Sequence, residues 1–288
     1  MREELSRITY YVSRFTTYLM LPVEPLYFVH ISDTHIGPEK SYRRHGHQSY
    51  PCAERLVEII NRLPVTPDFV IHTGDVVTDP DPASYQLAAE LFARLQIPIY
   101  YVNGNHDRAA DIHTYLPMGP KVDATADSDI LSYTFACKEY RFLVLDGRGP
   151  DEIDPHGILS EAQLELIRQE ATAVGPPLSI FIHFPLLPMN STWMDAYMLV
   201  INGEAVHQAL LPARDRIRGV FHGHIHQSMQ IRRDGILYSS AASAFSQFTA
   251  WPGHMTTGFD TEHPPGFNFV HLLPEQTIIR QHLFPRPD

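Results

Sequence analysis

The sequence predicts an α/β protein built around a largely parallel, buried sheet. Two observations carry the prediction. Short apolar runs alternate along the chain with segments of helical period, and strands buried on both faces read as continuous apolar runs rather than alternating ones. Most of these runs are followed at once by a small cluster of Asp, His, Asn and Gly.

The elements follow in order. Leu5, Ile8, Val12, Phe15 and Leu19 recur at steps of three and four, which lines one face of a helix within residues 1–24 that Pro22 would end. That helix is read as packing on its own domain. A dimer contact or a membrane-surface helix is the alternative, and Glu3 and Glu4 beside Arg2, Arg7 and Arg14 weaken the membrane version. Residues 25–288 then read as one domain, with no repeat or linker. Strands are expected at Leu26–Ile31, Asp68–His72, Ile97–Val102, Leu178–Ile182 and Ile217–Phe221, and helices at Cys52–Leu63, Ser84–Leu95, Ser160–Ala171 and Glu204–Leu211. Ser160 suits an N-cap. Leu131–Ala136 with Tyr140–Leu145, and Met229–Arg232 with Gly235–Ser239 around Arg233-Asp234, read as hairpins. Phe267–Leu272 and Thr277–His282 close the sheet.

Composition narrows the function. Apolar residues make up 44% of the 288, and charged residues 19%, which is globular rather than disordered. A formal net charge of −11 is a poor match to nucleic acid, whose binding rests on Lys and Arg. The two cysteines, Cys52 and Cys137, make no CxxC pair or disulfide framework. No transmembrane window or signal-peptide pattern stands out, so a cytoplasmic protein is expected.

The polar clusters fall at strand ends. Asp33-Thr34-His35 follows the first strand, Gly74-Asp75 the second and Gly104-Asn105-His106-Asp107 the third; His183 ends a later strand and Gly223-His224-Ile225-His226 follows the next. In open α/β sheets the ligand crevice lies at this carboxyl edge. Asp33, His35, Asp75, Asn105, His183, His224 and His226 offer more donors than one metal uses. Two metals about 3.5–4 Å apart, sharing a carboxylate, would use them all. Imidazole with carboxylate suits Fe, Mn, Zn or Co. The glycines are expected to supply backbone freedom in the tight turns.

With these motifs the chain resembles the calcineurin-like metallophosphoesterases over about residues 26–245, and more closely the class III cyclic-nucleotide phosphodiesterase and glycerophosphodiesterase branch. Val144-Leu145-Asp146 and Trp193-Met194-Asp195 carry the closer likeness. The resemblance implies a four-layer α/β/β/α sandwich of two mixed sheets flanked by helices. It implies that Asp33, His35 and His226 hold one metal, that Asn105, His183 and His224 hold the other, and that Asp75 bridges them. A hydroxide between the metals would attack phosphorus, and His106 would act as the catalytic acid over the site. The implied substrate is a small phosphodiester, first a 3′,5′-cyclic nucleotide. A glycerophosphodiester, a phosphomonoester, a nuclease and a non-catalytic scaffold are the alternatives. A homodimer is a further expectation of the branch.

Other candidates are weighed beside these. Asp107 is read as a turn residue rather than the orienting partner of His106. His30, His72 and His222 are read as supporting positions. Lys40–Gln48, with Lys40, Arg43, Arg44, His45 and His47, is read as a solvated loop, with a phosphate-gripping cap as the alternative. Trp193, Met194, Asp195 and Tyr197 line the pocket or pack the domain. Ala250–Pro265, with His254 and His263, is read as a surface loop.

Overall fold

The computed structural model describes residues 24–287 apart from 126 and 261. The helix expected before Glu24 lies outside the described residues. The chain starts with β1 (Leu26–Ile31), a small hairpin of β2 (Arg43–Arg44) and β3 (His47–Gln48), α1 (Ser49–Asn61), β4 (Phe69–His72), α2 (Pro82–Phe92) and β5 (Ile99–Tyr101). Next come α3 (Ala109–Tyr115), β6 (Val122–Asp123), β7 (Tyr133–Cys137), β8 (Tyr140–Leu145), α4 (Glu161–Thr172), β9 (Leu178–Ile182), α5 (Thr192–Tyr197) and α6 (Gly203–Leu210). It ends with β10 (Ile217–His222), β11 (Gln230–Arg233), β12 (Ile236–Ser240), β13 (Gln247–Phe248), β14 (Phe259–Asp260), β15 (Gly266–Leu273) and β16 (Gln276–Leu283).

These strands form two mixed sheets, ordered β16-β15-β1-β4-β5 and β11-β12-β10-β9-β8-β7-β6. The single largely parallel sheet inferred from the apolar runs is therefore corrected to two. The period of a strand explains both faces. Phe142 and Val144 of β8 join the core between the sheets, while Leu143 and Leu145 pack with Leu164 and Ile167 of α4 on the outer face. Phe28 of β1 meets Phe181 at 5.6 Å and Phe221 at 5.2 Å, edge to face, and so ties the sheets together. On the far side of the first sheet, His72 of β4 lies against Phe92 of α2. The result is a four-layer α/β/β/α sandwich.

Local chemistry sets the element ends. Ser160 and Gln163 form a reciprocal capping box at the start of α4. α2 starts two residues earlier than expected, because Asp81 accepts from the Ala83 and Ser84 N–H groups and Pro82 occupies the first turn. The β11–β12 turn is Asp234-Gly235, not Arg233-Asp234. Both residues have positive φ, 50° and 87°, as a two-residue type I′ turn requires. The short α3, α5 and β13–β14 pair carry too little periodicity to be read from sequence.

Register brings the polar clusters together. β1, β4 and β5 run parallel with Ile31 beside His72 and His72 beside Tyr101, so their ends are level. β9 and β10 are also parallel, with Phe181 beside Phe221. The two edges are stitched where the His224 N–H donates to the Asp33 carboxylate at 3.1 Å.

Candidate metal centre

The loops at this edge are locked before any side chain is considered. The Asp33 N–H donates to the Gly74 carbonyl and the His35 N–H to the Asp75 carbonyl, each at 3.0 Å. Asp33, His35, Asp75, His224 and His226 have φ of 54°, 44°, 54°, 70° and 49°. Non-glycine residues in the left-handed region cost energy and gather at functional sites. The sequence reading gave this freedom to the glycines of these motifs, and of Gly74, Gly104 and Gly223 only Gly74, at φ 98°, has it. Gly104 is needed for another reason: a Cβ there would overlap the Asp75 carboxylate.

Three groups of donors result. Asp33, His35 and His226 converge, as do Asp75, His183 and His224, and His35, Asp75 and His106 form a third group between them. Asp75 lies centrally, its Oδ2 3.5 Å from His35 Nε2 and 3.4 Å from His183 Nε2. Asn105 Oδ1 is 3.2 Å from His183 Nε2, which puts the seventh predicted residue beside the second group. Asp33, Asp75, His35, His183, His224 and His226 are all buried.

Carbonyl acceptors set the ring nitrogens. His183 Nδ1 donates to the Thr73 carbonyl at 2.6 Å, His226 Nδ1 to the Ser246 carbonyl at 2.8 Å, and His224 Nε2 to the Pro155 carbonyl at 2.9 Å. In the neutral ring the opposite nitrogen then carries a lone pair. Two of these lone-pair nitrogens, His183 Nε2 and His224 Nδ1, are 3.1 Å apart, and His226 Nε2 is 3.1 Å from His35 Nε2. His35 Nδ1 is buried without a hydrogen-bond partner among the described residues. Lone pairs facing each other need a shared proton or a metal ion between them, and carbonyls behind metal-binding imidazoles are the usual means of holding them. The residues present therefore fit metal ions.

Electrostatics agree. Burial pushes the His226 pKa down to about 3, and burial holds His35 and His224 well below the ordinary value, so these rings stay neutral donors at pH 7. Burial also opposes charge on Asp75, but His183 and the other imidazoles outweigh it and keep that carboxyl well below the usual range. Burial raises Asp33 to about 7. Burial works against a proton on His183, yet Asp75 and Asp33 hold its pKa up at about 9.

His106 belongs to the third group. Its Nδ1 donates to the Thr78 carbonyl at 2.7 Å, which leaves Nε2 to accept from Arg44 at 3.2 Å. Asp107 is a structural residue and does not touch the His106 ring. Fully buried, it accepts the N–H groups of Val76, Val77 and Gly104 and so fixes the loops carrying Asp75 and Asn105. Asp146 does a similar job, accepting from Asn103, Leu131 and Arg148. His72 joins the Thr34 hydroxyl to the Gly74 N–H, His30 meets the Thr73 hydroxyl, and His222 Nδ1 lies 3.2 Å from the Gly223 carbonyl.

An open cavity of about 230 Å³ lies over the centre, lined by His35, Asp75, Asn105, His106, His224 and His226 on its floor. Its walls include residues that sequence reasoning underrated. Arg44 and His45 line it, so the loop Lys40–Gln48 is not merely solvated. Trp193 lines the cavity, Met194 is core, Asp195 accepts the Met189 N–H, and Tyr197 is exposed beside the Trp193 ring. Phe248, Thr257 and Phe259 also line it, so part of Ala250–Pro265 is a wall of the site and not a plain surface loop. Only the His45-Gly46 turn, a two-residue hairpin signal, could have pointed to this wall. His254 and His263 join no donor group.

Carboxylates and neutral imidazoles converging at the open edge of an α/β sandwich define a class, the metal-dependent hydrolases. Within that class, the calcineurin-like phosphoesterase family model matches residues 26–228, and the chain belongs to that family of phosphoric ester hydrolases. It is 29% identical to the 3′,5′-cyclic adenosine monophosphate phosphodiesterase CpdA of Pseudomonas aeruginosa over 85% of this chain and 84% of that one. It is 26% identical to a 3′,5′-cyclic-nucleotide phosphodiesterase of Nostoc, with 88% and 90% covered. Among solved structures, a dimetal phosphatase from Danio rerio shares the fold with a TM-score of 0.61 at 18% identity, over 89% of this chain and 99% of that one. A purple acid phosphatase from yellow lupin does so at 0.63 and 13%, over 91% and 52%. No helix among the described residues is long and apolar enough to cross a membrane.

Proposed function

We propose that the protein is a binuclear metal-dependent phosphodiesterase acting on a small phosphodiester, first among them a 3′,5′-cyclic nucleotide. The carrying observation is the pair of imidazole lone-pair clusters on either side of Asp75. In this reading Asp33, His35 and His226 hold one ion, Asn105, His183 and His224 the other, and Asp75 both. Two such ions supply an activated water and neutralise charge on the phosphoryl oxygens. His106 is the catalytic group of the chain itself: it lines the cavity, and once its Nε2, the nitrogen not bonded to Thr78, takes up a proton and leaves Arg44, it can hand that proton to the leaving oxygen. The carbonyls of Thr73, Ser246 and Pro155 hold their imidazoles in place.

The substrate assignment rests on the relatives, whose printed activities are on cyclic nucleotides and of whose chains 84% and 90% are covered. The test is a panel of 3′,5′-cAMP, 2′,3′-cAMP, bis-p-nitrophenyl phosphate, p-nitrophenyl phosphate and glycerophosphocholine with added Mn²⁺. Turnover of 3′,5′-cAMP above the others is expected. Preference for glycerophosphocholine or p-nitrophenyl phosphate would replace the substrate, and no turnover by protein holding two metals per chain would end the enzyme reading.

A further inference from the structure

We infer that Arg44 is a substrate-binding residue that grips the anionic oxygens of the phosphoryl group. The inference rests on the phosphoester-hydrolase reading of the same centre, and three observations carry it.

The first is placement. Arg44 precedes the two-residue turn of His45 and Gly46, with φ of 50° and 82°. The turn aims the Arg44 side chain at the centre, and the His45 ring stacks on Phe259 with centroids 3.3 Å apart, fastening the hairpin to the opposite wall of the cavity. The other cations of this loop are turned away. Arg43 donates to the Gly46 carbonyl and Lys40 lies over the Tyr50 ring. Among the described residues lining the cavity, Arg44 is the only Lys or Arg.

The second is the missing counter-charge. The guanidinium is half-buried, and its partners are Thr78 Oγ1 at 2.6 Å, His45 Nε2 at 3.0 Å and His106 Nε2 at 3.2 Å. Burial and the Arg44 charge bring the His45 pKa down to about 4, so that ring is neutral at pH 7. No carboxylate among the described residues pairs with Arg44. Metal ions a short way off would only add positive charge beside it. An anion is what makes such a cation favourable.

The third is the donor count. The three contacts use three of the five guanidinium N–H groups, and one N–H on each terminal nitrogen is left over to meet anionic oxygens. The contact with His106 Nε2 puts these donors beside the group expected to handle the leaving-group proton. Arg44 and His106 thus bracket one position.

The test is calorimetric titration of the Mn²⁺-loaded full-length protein with inorganic phosphate. Arg44→Ala should weaken phosphate about ten- to a hundredfold with metal content unchanged. Arg44→Lys, a point charge without the guanidinium donors, should fall between the two. With bis-p-nitrophenyl phosphate, KM should rise by a similar factor and kcat change less. Unchanged phosphate affinity in Arg44→Ala, loss of metal in parallel, or a wild type blind to phosphate would each overturn the inference. A wild type that turns over no ester, yet outbinds Arg44→Ala tenfold, would sink the hydrolase reading and leave the anion grip standing.

Discussion

His183 Nε2 and His224 Nδ1 face each other across 3.1 Å while the opposite nitrogen of each ring donates to a carbonyl. In the neutral rings neither has a hydrogen to offer the other. Only a shared proton or a cation satisfies that pair, and the carboxylate of Asp75 stands ready for either.

From this pairing, His224→Ala should lower bound Mn²⁺ from about two ions per chain to about one, and Asp75→Ala should lower it further, because a bridging carboxylate serves both. Plasma mass spectrometry on desalted protein measures it. Equal metal loss in both variants would argue against a bridging role.

His106→Ala should keep both ions and lose turnover by a factor of about 10² or more, the range of a positioned acid. The relevant comparison is metal content against kcat on one ester. Since His35, Asp75 and His106 could also meet on one ion, loss of metal would recast His106 as a ligand.

His30, His72 and His222 are buried under the centre, and burial lowers their pKa values to about 3, 3 and 4. An unfolded chain holds these protons below about 6.5 and the folded chain does not. Their contribution to stability is therefore present above pH 6.5 and is lost as pH falls toward about 3. Asp33 and Asp107, raised by burial to about 7 and about 6, act in the opposite sense as pH rises. Comparing His30→Gln with wild type removes their effect. In chelator-treated protein between pH 4 and 6, the variant should lose about 1.4 kcal/mol per pH unit of slope, one proton's worth. Urea denaturation at several pH values gives the slope, and parallel curves would refute the assignment.

Asp107→Ala should destabilise the protein by about 3 kcal/mol or more, since each buried N–H left without an acceptor costs about 1–3 kcal/mol. The three affected groups belong to Val76, Val77 and Gly104. A urea midpoint within error of wild type would show that those loops hold without it.

What the sequence determined by itself was the list of donors and the edge on which they meet. Apolar runs of strand length, each ended by Asp, His or Asn, locate Asp33, Asp75, Asn105, His183 and His224 without coordinates, because both strand period and loop position are local properties. β1 and β9 were legible to the residue for that reason. The second sheet was not, since a buried run looks the same whichever sheet it joins. Nor was the backbone strain at Asp33, His35, Asp75, His224 and His226, which is held by cross-loop hydrogen bonds such as those from Asp33 to Gly74 and from His35 to Asp75. Tertiary structure alone decided which ring nitrogen of His183, His224 and His226 faces the centre, through carbonyls of residues 20 to 110 positions away. It alone brought Arg44, within a loop of ordinary polar composition, to His106 at a separation of 62 residues. Contacts of that span depend on how the layers pack, and no local pattern records them.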